Sequence, residues 1–69
     1  MSTRYEIVVE GSVGPILSAM FEGFEQHQDP LGRVRLVGEV ADQSELHGML
    51  HRLHDLRAVI VDVHRVDVP

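Results

Sequence analysis

The chain contains no Cys, no Lys, no Trp and no Asn among its 69 residues. Each gap removes a kind of chemistry. Without Cys there is no disulfide staple, no thiolate nucleophile, no iron–sulfur cluster and no Cys-rich zinc site. Without Lys there is no Schiff base and no phosphate-loop lysine. Apolar runs are short as well, and none approaches the ~20 residues that a membrane span needs. The start, Met1-Ser2-Thr3-Arg4, carries no signal-peptide apolar stretch, so a cytoplasmic protein with no membrane partner is expected. Positive charge is scarce too. The 6 Arg stand against 11 Asp and Glu, giving a formal charge of −5 with the 5 His neutral. Proteins that hold nucleic-acid backbones neutralise phosphates with clustered cations, so no nucleic-acid partner is expected either.

What remains describes one small domain over residues 1–69, near the lower size limit for folding alone. A chain this short buries only roughly 60% of its unfolded surface. With disulfides excluded, self-association is the natural source of further burial, and a homo-oligomer, in first place a dimer, is expected.

The order of elements follows from periodicity. From Arg4 to Glu10, Tyr5, Ile7 and Val9 alternate with Glu6, Val8 and Glu10, the period of a strand. Gly11-Ser12-Val13-Gly14 interrupts it, and Pro15 suits a first helical position. Ile16, Leu17, Met20 and Phe21 then share a helical stripe, predicting a short helix from Pro15 to about Glu22 that Gly23 ends. Phe24–Asp29 has poor strand propensity and reads as a weak edge strand before the turn Pro30-Leu31-Gly32. Arg33–Val40 alternates again. Asp42 with Glu45 has capping-box spacing, and it opens a helix whose stripe is Leu46, Met49, Leu50, Leu53 and Leu56. Ala58–Val66 is the last strand, with Val59, Val61 and Val63 expected toward the helices and Ile60, Asp62 and His64 away from them. This order predicts an α+β, ferredoxin-like βαββαβ sandwich, two helices on one face of a four-stranded antiparallel sheet. Without the weak strand the fallback is a three-stranded βαβαβ unit.

The stretch from Gly38-Glu39-Val40-Ala41-Asp42-Gln43 into Leu46-His47-Gly48, with Arg52-Leu53-His54-Asp55-Leu56 after it, resembles small uncharacterised proteins of actinomycete bacteria. In these, a Gly-acid-apolar-x-Asp-Gln run leads into a Leu-His-Gly helix and a Val-rich strand closes the chain. The resemblance implies the βαββαβ arrangement and a bacterial source, and it carries no known activity. The turn Gly14-Pro15-Ile16-Leu17 is similar to the strand-to-helix turn of ACT regulatory domains, which implies ligand sensing. The acidic residue usual before that turn is absent here, where Gly11-Ser12-Val13 stands.

Three groups of residues carry candidate chemistry. His47 and His51, one turn apart on the second helix, have the spacing of an imidazole chelate for Zn²⁺ or Ni²⁺, with Asp55 one turn on as an oxygen ligand. The bland alternative is a solvated face made of histidines. No resident metal and no cofactor is expected. On the sheet face opposite the helices, Val8, Val37 and Ile60 are expected to form an apolar row, with Arg35 beside it reaching for an acidic rim residue of a second copy. The same face holds the candidate acid–base residues, His27 and His64 with Glu10 as a carboxylate partner. Gly48, between His47 and His51, costs a helix about 1 kcal/mol relative to Ala, which makes this helix face a candidate partner surface.

The reading is a non-catalytic homo-oligomeric binding or regulatory domain assembling through its open sheet face. The alternatives are a small acid–base enzyme of isomerase or cyclase type and a metal-binding module using His47 and His51. Charging all 5 His would cancel the formal charge of −5, so solubility or assembly is expected to change between about pH 5 and 6.5.

Overall fold

A computed structural model describes residues 2–11 and 14–66. Ser12 and Val13, in the expected break after the first strand, lie outside the described residues. Six elements follow one another: β1 (Thr3–Glu10), α1 (Pro15–Met20), β2 (Glu25–Gln28), β3 (Arg33–Val40), α2 (Gln43–Asp55) and β4 (Val59–Arg65). The four strands form one sheet in the order β2-β3-β1-β4, with every neighbouring pair antiparallel. The result is an α+β fold, consistent with a ferredoxin-like arrangement. The weak segment does form a strand, so the three-stranded fallback does not apply.

Alternation in β1 sorts its side chains as the sequence suggests. Ile7 and Val9 point into a core completed by Val34, Leu36 and Val40 of β3, by Leu17 and Phe21 from α1 and its exit turn, and by Leu46 and Leu53 of α2. Both helices therefore cover the same sheet face. Ile16 departs from its expected place in the α1 stripe: it is 68% exposed, because α1 ends after six residues and only Leu17 of it is buried. Leu56 likewise falls just past α2 and is 43% exposed.

Phe24 explains how a short, polar β2 stays attached. Its ring packs edge-on against Phe21, with centroids 5.3 Å apart and planes at 78°. It also lies flat over Gly38 of β3, where a Cβ would stand 2.5 Å from the ring's Cγ. Glycine at 38 is thus a condition for seating Phe24 on the core. At the other end of β2, the Asp29 side chain accepts from Leu31 N at 2.7 Å and shapes the turn into β3. The Asp42 carboxylate accepts from Glu45 N at 2.8 Å and starts α2 as its spacing predicts.

β4 differs from expectation. Its register against β1 shifts between Val8 and Val9, so that Asp62 faces Val8 while Ile60, two residues earlier, faces Val9. The bulge reverses the alternation of everything before it. Ile60 turns inward and packs against the core with Val63. Val59 turns outward and is 57% exposed, and the extra residue, Val61, is exposed as well. The expected row Val8, Val37, Ile60 is therefore corrected: Ile60 does not lie on the open face.

Candidate functional site

The open face is read from the strand register. Glu25, Val37, Glu6 and His64 lie side by side across β2, β3, β1 and β4. The next rank holds His27, Arg35, Val8 and Asp62. In the rank beyond, Arg33, Glu10 and Val59 follow across β3, β1 and β4. Val37, Val8 and Val59 therefore form a diagonal apolar stripe across three strands, open mainly at Val59 (57% exposed), half-buried at Val8 and largely covered at Val37 (9%), with Val59 in the role expected of Ile60.

Charge is organised around that stripe. Glu6 is only 7% exposed, at the centre of the sheet. A carboxylate removed from water needs partners for its charge, and here it has them. Arg35 donates from Nε and Nη2 to the same Glu6 oxygen, at 3.1 and 2.7 Å. His64 Nε2 stands 3.3 Å from the other oxygen. Its second nitrogen, Nδ1, lies 2.5 Å from Asp62. The hydrogen bonds it donates to Glu6, and then the Glu6 charge, hold the Arg35 guanidinium above its ordinary range. The Arg35 side chain nevertheless remains 51% exposed, so its outer edge is open to a partner. A second hub is Glu25, which takes Arg4 at 3.1 Å and has His27 at 3.7 Å.

The candidate catalytic residues are placed apart. His64 is held between Glu6 and Asp62, with a carboxylate at each ring nitrogen. A neutral imidazole donates to one of these and only the doubly protonated ring donates to both, so neither nitrogen is left facing a substrate. His27 is on β2 beside Glu25, and Glu10 at the end of β1 joins neither histidine. Clefts of about 370 and 300 Å³ indent the surface, and neither is lined by His27 or His64.

On α2, His51 and Asp55 approach to 3.5 Å. His47 does not complete a ligand set with them, for among the described residues no group of three or more His, Asp or Glu is placed to hold a metal ion. Gly48 faces open space, with nothing within 4 Å of where its Cβ would be, so no internal packing explains the missing side chain.

Sequence reasoning missed two residues. Glu6 reads as one more outward acid in an alternating strand. Its burial arises from its central place between Arg35 and His64, which only the register supplies. Arg57 follows α2 with φ of 61°, a left-handed conformation where glycine is the ordinary choice. The signal was the absence of a glycine after Leu56.

No helix among the described residues is long and apolar enough to cross a membrane. No curated protein and no solved structure matches the chain. A family model for a domain of unknown function, DUF8691, matches residues 4–64, and the chain belongs to that family.

Proposed function

We propose that the chain is a non-catalytic binding or regulatory domain that works as a homodimer, pairing two copies through the open sheet face. The finer fold reading goes with this: the strand order β2-β3-β1-β4, with a helix in each crossover, supports a ferredoxin-like βαββαβ sandwich. The observation that carries the proposal is the diagonal of Val37, Val8 and Val59, bordered by charges already fixed in place. An apolar centre within a polar rim is the anatomy of a protein interface. Ordering in advance matters, since long side chains that are already immobilised lose less entropy on association. Arg35 has a half-exposed guanidinium with which to reach an acidic residue on the partner's rim.

The clamp on His64 weighs against acid–base catalysis, and the incomplete set at His47, His51 and Asp55 weighs against a metal-binding module. Light scattering at micromolar concentration is the test. The expected mass is that of a dimer, and Val37→Lys is expected to halve it. Because Val37 is itself only 9% exposed, circular dichroism must show the variant folded. Val59→Lys, at a 57% exposed position of the same stripe, is expected to lower the mass likewise. The nearly isosteric Val37→Thr should weaken association without changing the fold. A wild-type monomer, or a dimer indifferent to these substitutions, overturns the proposal.

A further inference from the structure

The exposed apolar residues are not scattered. Among the described residues, the large ones are Ile16, Leu31, Leu56, Val59 and Val61. Glu10, at the end of β1, faces Arg33 and Val59, the first residues of β3 and β4. Gly11 N bonds Gly32 O at 2.9 Å, which brings the β2–β3 turn to the same place. α1 begins and α2 ends there too. Ile16, Leu31, Leu56 and Val59 thus all lie at one pole of the molecule.

That pole contains the cleft of about 300 Å³, lined by Val9, Ile16, Leu17, Leu56 and Ala58, with Glu10 and Arg57 also on its wall. Neither the Glu10 carboxylate nor the Arg57 guanidinium has a hydrogen bond or ion pair with another described residue. One anion and one cation, neither paired among the described residues, therefore border the same apolar cleft. Arg57 adds an independent sign. A residue with a β-carbon is held at φ 61°, where glycine would be less strained. Backbone strain of this kind points toward use of the side chain rather than toward stability.

We infer that this pole is a second self-association surface, in which two copies meet about a two-fold axis and Arg57 of each pairs with the partner's Glu10. A two-fold contact brings the same patch of both copies together, so a surface that carries both charges beside an apolar cleft is complementary to itself. Ile16, 68% exposed, then enters a shared apolar contact. The pole adjoins the open face at Glu10 and Val59, while its cleft, Ile16, Leu56 and Arg57 lie off the Val37–Val8–Val59 stripe, so a given copy engages one contact or the other.

Sedimentation of Val37→Lys, in which the face contact is removed, isolates the pole. Concentration-dependent association should remain, at concentrations well above the micromolar range in which the face dimer forms. Ile16→Glu and Arg57→Gly in that background should each raise the dissociation constant about tenfold or more, the scale of one interface anchor. Arg57→Glu should also abolish association, and Arg57→Glu with Glu10→Arg should recover it. Arg57→Gly has a second readout. Relief of the left-handed conformation should raise Tm of the dissociated protein by roughly 4 °C, so that binding falls while stability rises. Val37→Lys protein that is monomeric at every concentration overturns the pole contact and leaves the face dimer standing. Failure of the charge exchange to recover association, or association indifferent to Ile16→Glu, overturns it as well. A wild-type monomer removes both contacts.

Discussion

Gly38 and Phe24 act as one unit, because the ring occupies the space a side chain at 38 would need. Gly38→Ala is expected to destabilise the fold by about 1–3 kcal/mol, the usual range for overpacking. In a domain this small each kcal/mol lowers Tm by roughly 4–8 °C, so thermal melting reads the effect easily. Phe24→Leu in the Gly38→Ala background should recover part of the loss, since the two residues are in contact and their effects are not additive. Glu6 and Arg35 form the second unit. Arg35→Met leaves a largely buried carboxylate without its main cation, whereas Glu6→Leu together with Arg35→Met removes the charge as well. Urea unfolding should find the single variant less stable than the double. Equal stability of the two would show that Glu6 does not depend on Arg35. Neither unit was legible beforehand, as a glycine in a strand and a glutamate at an outward position have no local mark of such partners.

The elements differ in how plainly the sequence declares them. β1 and β3 alternate cleanly, and the core takes Ile7, Val9, Val34 and Leu36 as that alternation requires. α2 was readable from its cap and its leucines, since these depend on residues three and four apart. Asp42→Ala should cost about 1 kcal/mol through the lost bond to Glu45 N, measured as a fall in Tm. β4 was misread for a physical reason. Period-two reasoning fixes a whole strand once one residue is placed, and a single extra residue reverses all positions on the other side of it. Nothing in Val59-Ile60-Val61 marks the bulge, because all three are equally good strand residues. The register with Val8 and Val9 decides it. The candidate site was legible to the same extent: Val8, Arg35 and Val37 were found on the open face and Ile60 was not.

At the scale of the whole molecule, size and charge set the terms. The single core leaves little stability in reserve, and association adds burial that the chain cannot obtain alone. Charge opposes close approach of two copies at neutral pH, with −5 on each. Three of the five histidines face a carboxylate: His27 at 3.7 Å, His51 at 3.5 Å and His64 at 3.3 Å. The net charge approaches zero near the sequence pI of about 5.3, so scattering followed from pH 7.5 down to 5 is expected to show larger assemblies or precipitation. A constant mass over that range would mean that net charge does not control association.

The central claim is that the open sheet face joins two copies. Sedimentation equilibrium of the wild-type chain and Val37→Lys, over a concentration series at neutral pH, tests it most directly. The wild type should fit a monomer–dimer equilibrium with the dimer dominant at micromolar concentration, and Val37→Lys, equally folded by circular dichroism, should lose that dimer. A wild-type chain that sediments as a monomer throughout, or a Val37→Lys protein with an undiminished dimer, contradicts it.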